Sequence, residues 1–311
     1  MFWSISESRT FKRCQRQWFF KNLLGNARAK DPTRREAYLL SKLQTVSSWR
    51  GNIVDSVVSD LVVPAIRYNR TVTVEEAIGR ARSLFDTQLE FARRHPLRDP
   101  GLSPAKLEGE FAAFHAIEYG EEIPQEELDR AWAEIETALG NLFRMTELLG
   151  ELRTATLLCP QRALQFKHSG MTVRAVPDVV AFFRDRAPLI VDWKVHAFGL
   201  QEAWLQLATY AVALVRCNPH VDFPGNMSRW RAADVRLIEV QLLTNRLRHY
   251  SLTDEDEETV DSYIAQSATQ MLLATEEKKG KDLTADEFAV TSSPDACKRC
   301  SYRKLCWEEG K

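Results

Sequence analysis

Two acids and a lysine near the middle of the chain have the residue types and the spacing of a metal-assisted hydrolytic site. Asp178 precedes one apolar run, and Asp192 and Lys194 lie in a second. The short turn segment between the runs predicts a β-hairpin that joins two strands, 179–183 and 189–195. Because side chains alternate along a strand, Asp192 and Lys194 project from the same face.

The hairpin would bring Asp178 and Asp192 close together. Neighbouring carboxylates repel each other unless a cation lies between them, and hard oxygen ligands suit Mg²⁺ or Mn²⁺. A strand Asp-x-Lys is also common on solvated surfaces. Here, however, Leu189, Ile190 and Val191 precede the charges, and charged groups in so apolar a run usually have a partner or a role. We therefore predict a metal site on this hairpin.

The same residues carry a family resemblance. Asp178 with the proline before it, Asp192-x-Lys194 and a helical Gln206-x-x-x-Tyr210 pair resemble the core of the PD-(D/E)xK nucleases. The Gln/Tyr pair resembles the branch typified by the RecB nuclease domain. The resemblance implies an α/β, restriction-endonuclease-like fold with a mixed sheet flanked by helices. The catalytic residues that it implies are Asp178, Asp192, Lys194, Gln206 and Tyr210.

A helix starting near Trp49 carries another candidate ligand. In the resembling family, a histidine four residues after a glycine on this helix binds the metal, whereas here Asp55 follows Gly51 at that spacing. Since a carboxylate also binds Mg²⁺ or Mn²⁺, we expect Asp55 to be a ligand. The predicted metal ligands are Asp55, Asp178, Asp192 and the carbonyl of Trp193. His196 is the histidine nearest to this set in the sequence.

Six cysteines occur, and three of them form Cys297-x2-Cys300-x5-Cys306 near the end of the chain. In an intracellular protein such a cluster favours thiolate ligation of a metal over disulfides, and Cys14 is the natural fourth ligand. This spacing resembles the iron-sulfur nucleases of the RecB-like group, including AddB and the CRISPR-adaptation exonucleases, which implies a [4Fe-4S] cluster. Zn²⁺ with four thiolates is the alternative. Cys159 and Cys217 lie in apolar runs and are expected in the core.

The formal net charge is -1, but the charges are unevenly distributed. Residues 1–50 contain eleven Lys and Arg against three acids, whereas residues 107–151 contain twelve acids against two Arg. Near the start, basic residues alternate with aromatic ones, a pattern that suits either single-stranded DNA or a buried core face. The predicted DNA-binding residues are Arg9, Lys12, Arg13 and Arg16. Ser6 or Ser8 is expected to cap their helix.

The remaining pattern predicts one nuclease domain over residues 1–311, with a helical insertion at 65–150 and a C-terminal cysteine segment at 291–311. Further strands are expected at 155–158, 163–166 and 235–243, and a helix at 256–274. The chain has no run of eighteen apolar residues and does not open with a signal-peptide pattern. We therefore expect a cytoplasmic protein without a membrane partner.

These observations predict a metal-dependent deoxyribonuclease. The resembling iron-sulfur nucleases imply exonuclease action on single-stranded DNA ends, within repair, recombination, CRISPR adaptation or antiviral defence. Two alternatives remain open at this point. One is a nucleic-acid-binding module whose nuclease site has decayed, which Asp55 in the usual histidine position favours. The other is a subunit that is active only in a larger protein complex.

Overall fold

The computed structural model of the chain describes residues 1–95, 97, 103–107, 109–195, 200–225, 229–276, 278 and 280–308. The chain divides into two compact units, each built from three segments. The first unit comprises Met1–Ser4, Arg50–Ser83 and Asp129–Gln266. The second comprises Ile5–Trp49, Leu84–Leu128 and Ser267–Lys311.

The strands of the described residues form two sheets in the first unit. The five-stranded sheet has the order β2-β5-β6-β7-β8, and the three-stranded sheet has the order β1-β4-β3. In the larger sheet, β6 and β7 are parallel and the other neighbours are antiparallel, so the sheet is mixed. The strands are β1 (Phe2–Trp3), β2 (Leu157–Pro160), β3 (Leu164–His168), β4 (Met171–Ala175), β5 (Val179–Phe182), β6 (Leu189–Lys194), β7 (Arg236–Gln241) and β8 (Arg246–Tyr250).

Helices account for most of the remaining described residues, which confirms the predicted α/β class. None of the described helices is long and apolar enough to span a bilayer. The helices are α1 (Ile5–Arg13), α2 (Gln15–Phe19), α3 (Pro32–Leu40), α4 (Val46–Val57), α5 (Val63–Arg67), α6 (Val74–Arg94), α7 (His115–Glu118), α8 (Gln125–Arg144), α9 (Thr146–Arg153), α10 (Leu200–Arg216), α11 (Asp254–Thr275), α12 (Pro294–Lys298) and α13 (Arg303–Glu308).

The predicted hairpin is present as β5 and β6. Val179 pairs with Val191 and Ala181 pairs with Leu189 in an antiparallel ladder. Every residue of β5, and every residue of β6 except Lys194, is buried, as expected for strands that are covered on both faces. The parallel partner β7 pairs with β6 from Leu189 to Lys194, so the site strand lies in the interior of the sheet.

Helix α10 packs against β6 and β7 and also against β3 and β4. Many of its apolar residues are buried, among them Leu207, Ala208 and Ala211. The last residue of the helix, Arg216, donates two hydrogen bonds to the carboxylate of Asp261 on α11, at 2.6 and 2.8 Å. This packing determines which face of α10 is turned to the sheet.

Several sequence expectations differ from the structure in detail. Helix α1 begins at Ile5, so Ser6 and Ser8 lie within it and neither is its N-cap, and Ser8 is fully buried. Strand β8 was not predicted, because its sequence is largely polar and it lies at the edge of the sheet. The predicted insertion at 65–150 contains helices α6, α7 and α8 and, where it is described, non-helical segments between them, and its residues are shared between the two units. The single-domain boundaries remain a prediction.

Candidate active site

The hairpin places Asp178 and Asp192 at facing positions. Asp178 immediately precedes Val179 and Asp192 immediately follows Val191, and these two valines are paired across the ladder. The Asp178 carboxylate accepts a hydrogen bond from the backbone N–H of Trp193, with a distance of 2.7 Å from N to Oδ2. Asp192 is 2% exposed. Two acids therefore meet at the end of the hairpin, one of them fully buried.

Lys194 lies on the same strand face as Asp192, as predicted. Its Nζ atom is 2.5 Å from Oδ2 of Asp192, and its side chain is 19% exposed. The ammonium therefore lies at the boundary between the buried acid and solvent. In this position it offsets part of the negative charge of the site.

Gln206 and Tyr210 on α10 form a short chain of contacts to Asp192. Gln206 Nε2 lies 3.2 Å from Asp192 Oδ1 and 2.7 Å from the Tyr210 hydroxyl. Residues four apart on a helix share one face, so both side chains reach the same point. The structure thus brings both predicted helical residues to the site, where Gln206 contacts Asp192 directly.

Asp55 also belongs to this cluster, although it comes from α4. Its Oδ2 accepts a hydrogen bond from Gln161 Nε2 at 2.5 Å, and its charge acts on both Asp178 and Asp192. One turn earlier on α4, buried Arg50 pairs with Glu134 and donates to the Val195 carbonyl at 2.7 Å. Arg50 thereby ties α4 to the residue that follows β6.

Gln161 and Arg50 are site residues that the sequence did not reveal. Gln161 follows β2 and has a left-handed backbone conformation, with φ of 45°. Neither residue belongs to a recognisable motif, and their partners are 106 and 145 residues away in the chain. Only long-range packing could have identified them. His196 lies outside the described residues.

The carboxylates raise one another's proton affinity. Burial raises the pKa of Asp55 to about 6, together with the charges of Asp60 and Asp192, despite the Gln161 hydrogen bond and Lys194. Burial and the charges of Asp192 and Asp55 likewise raise the pKa of Asp178 well above its usual range. The ionised cluster is therefore short of positive charge.

A divalent cation would suit this donor set chemically. Asp55, Asp178 and Asp192 offer hard oxygen atoms, and their mutual repulsion is the kind that a cation relieves. Within the described residues, however, no three ligating side chains are already gathered closely enough to hold a metal ion. Lys194 instead contacts Asp192. Binding of a cation would therefore require these side chains to rearrange.

The four cysteines predicted as ligands all line one small cavity of about 30 Å³ in the second unit. Burial raises the pKa of the Cys300 thiol to about 11 and also raises the pKa of Cys306, and the neighbouring cysteines add to both shifts. Cys14, Cys297, Cys300 and Cys306 are thus brought together, but the described part of the chain shows no cysteine group at metal-binding spacing. Cys159 and Cys217 are buried, as expected for core residues.

The basic N-terminal residues have mixed environments. Arg16 donates to the Phe288 carbonyl at 3.3 Å and pairs with Asp286 at 3.2 Å, so its charge already has a partner. Lys12 and Arg13 line an open groove of about 800 Å³. The interleaved aromatic residues belong to the core and are not available for stacking on bases. They are Phe11, Trp18 and Phe19.

A mixed sheet flanked by helices, with an acid pair and a lysine on its central hairpin, fits a restriction-endonuclease-like nuclease fold. A profile of the PD-(D/E)XK nuclease superfamily matches residues 2–307, and the chain belongs to that superfamily. Its members are nucleases and generally use Mg²⁺ or Mn²⁺.

Two further comparisons add little. No protein of curated function matched the chain. Among solved structures, one described as the crystal structure of SSO0001 is 12% identical, with coverage of 72% of this chain and 93% of the other. Its TM-score is 0.30, which is too low to support an argument.

The raised pKa of Asp55 predicts a pH dependence of the metal-free protein. The folded state keeps this proton up to about pH 6, whereas the unfolded chain releases it near its usual pKa of 3.8. Protonation therefore stabilises the fold at low pH, and this contribution is lost as the pH rises through about 6. In EDTA, thermal melts between about pH 4 and about pH 7 should show a steeper loss of stability for the parent than for Asp55→Asn. Equal slopes would contradict the assignment.

Proposed function

We propose that this protein is a Mg²⁺- or Mn²⁺-dependent deoxyribonuclease whose active site is the Asp55, Asp178, Asp192 and Lys194 cluster. One observation carries the proposal: the hairpin places an acid pair and a lysine together at a point that a third acid, from a separate helix, also reaches. Superfamily membership supports phosphodiester hydrolysis as the reaction. The identity of the metal and DNA as the substrate are proposed in addition to what superfamily membership implies.

The protein groups would have distinct tasks. A bound cation would supply Lewis-acid activation of the scissile phosphate. The three aspartates would hold it, with the Trp193 carbonyl as the proposed fourth ligand. Lys194 would orient the attacking water and offset the charge that develops on the phosphate. Gln206 would keep Asp192 in position, and Tyr210 would in turn hold Gln206.

Substitution of Lys194 tests the assignment. Lys194→Ala should reduce DNA cleavage at least about 100-fold, because a positioned acid–base group contributes that much or more. Lys167→Ala, which removes an exposed lysine on β3 that donates to the Thr172 hydroxyl, is the matched control and should cleave normally. Melting temperatures measured with Mn²⁺ present should stay close to that of the parent. Parent-like cleavage by Lys194→Ala would refute the role.

We further propose that the enzyme degrades DNA from single-stranded ends, which the resemblance to the RecB-like iron-sulfur nucleases supports. Linear and circular forms of one single-stranded sequence, incubated with Mn²⁺, separate exonuclease from endonuclease action. The linear form should be degraded and the circular form should persist. Loss of both forms at similar rates would contradict end dependence and leave the hydrolytic assignment intact.

A decayed, DNA-binding module is the second candidate. It is favoured by Asp55 in the usual histidine position and by the absence of a ready metal-ligand group within the described residues. In that case the purified protein would bind DNA but leave it uncut with Mg²⁺ or Mn²⁺. If cleavage appeared only with proteins recovered by pull-down from the native cell, the chain would be a subunit of a repair, recombination or defence complex.

We also propose that Cys14, Cys297, Cys300 and Cys306 bind a [4Fe-4S] cluster. Support comes from their arrangement around one cavity, although Cys14 lies at the opposite end of the sequence from the other three. The cluster would cross-link the two ends of the chain, and closing so long a loop restricts the unfolded state. Its role would therefore be structural.

Anaerobically purified protein should be brown, with absorbance near about 400 nm and about four irons per chain. Cys14→Ser should lower the iron content, because it removes one of four ligands. Cys217→Ser, a core cysteine outside the cavity, is the matched control and should keep its iron. Colourless protein with one zinc per chain would replace the cluster by a zinc site. Full metal content in Cys14→Ser would exclude Cys14 as a ligand.

A further inference from the structure

Gln161 connects two of the site acids through two different groups. Its backbone N–H donates to the Asp178 carbonyl at 2.9 Å, and its side-chain amide donates to Asp55 Oδ2 at 2.5 Å. Asp178 precedes β5 and Asp55 lies on α4, so one residue joins the sheet end to the helix that carries the third acid.

The backbone of Gln161 supports a specific role for this contact. Its φ of 45° lies in the left-handed region, which is unfavourable for a residue with a Cβ atom. Its side chain is exposed, so it contributes little to the core. An ordinary surface turn would be equally well served by glycine or asparagine, whereas the longer glutamine amide reaches Asp55.

We propose that Gln161 is a positioning residue that orients the Asp55 carboxylate for the divalent cation. This inference rests on the proposed function. An amide donor on Oδ2 restricts rotation of the carboxylate, and hydrogen-bonded partners of metal ligands generally raise metal affinity in this way. The backbone hydrogen bond to Asp178 fixes the position of Gln161, and therefore of its side-chain amide, relative to the Asp178 and Asp192 pair.

The test uses Gln161→Met, which keeps the side-chain length and the backbone contact but removes the amide. Mn²⁺ affinity is measured on the full chain, without DNA, from the electron paramagnetic resonance signal of free Mn²⁺. Removal of such a partner should weaken Mn²⁺ binding about 10-fold. Gln165→Met, an exposed glutamine on β3, is the matched control and should bind like the parent. Unchanged affinity in Gln161→Met would overturn the inference.

A double-mutant cycle with Asp55→Asn separates positioning from a general structural effect. If Gln161 acts through Asp55, Gln161→Met should weaken Mn²⁺ binding no further once the Asp55 charge is gone. Losses that add would overturn the inference, because they would show that Gln161 acts independently of Asp55. Failure of the proposed function has a different signature, since the parent itself would then bind no Mn²⁺ and cut no DNA.

Discussion

Electrostatic repulsion among three closely placed carboxylates is the constraint on which the site depends. Asp55, Asp178 and Asp192 act on one another in an environment with little water, which makes ionisation of all three unfavourable. Lys194 compensates only part of this charge. The fold keeps the acids together despite the repulsion. Asp178 and Asp192 lie opposite each other, beside the paired Val179 and Val191 of a buried hairpin. A cation could supply the remaining positive charge, which is the basis of the proposed metal-assisted hydrolysis.

The elements around the hairpin restrict these carboxylates individually. Helix α10 presents Gln206 to Asp192, the N–H of Trp193 contacts Asp178, and Gln161 contacts Asp55. Each acid therefore has its own donor. Such donors limit the orientations that a carboxylate samples, which is the property a metal site requires. Each of the three carboxylates is therefore held by a hydrogen bond from a different part of the fold.

The second unit brings the chain ends together by a different type of interaction. Phe19 stacks on Phe288 and Phe20 stacks on Tyr302, with ring centroids 4.7 and 5.5 Å apart. These N-terminal rings and their C-terminal partners are all about 1% exposed, so aromatic burial joins the two segments, together with the contacts of Arg16 to Asp286 and to the Phe288 carbonyl. The cysteine cavity lies beside this aromatic core. The ends consequently meet through packing, and thiolate ligation would add a cross-link to an existing contact.

The sequence by itself determined the local part of this protein. Alternation along β6 placed Asp192 and Lys194 on one face, the apolar runs predicted the hairpin, and helical spacing paired Gln206 with Tyr210. These are properties of neighbouring residues, which backbone geometry dictates. Only the tertiary structure decided that Gln161 contacts Asp55, that Asp286 pairs with Arg16, and that the N-terminal rings are core. Those outcomes depend on which distant segments pack together. The helical and strand periodicity of the local sequence does not contain that information.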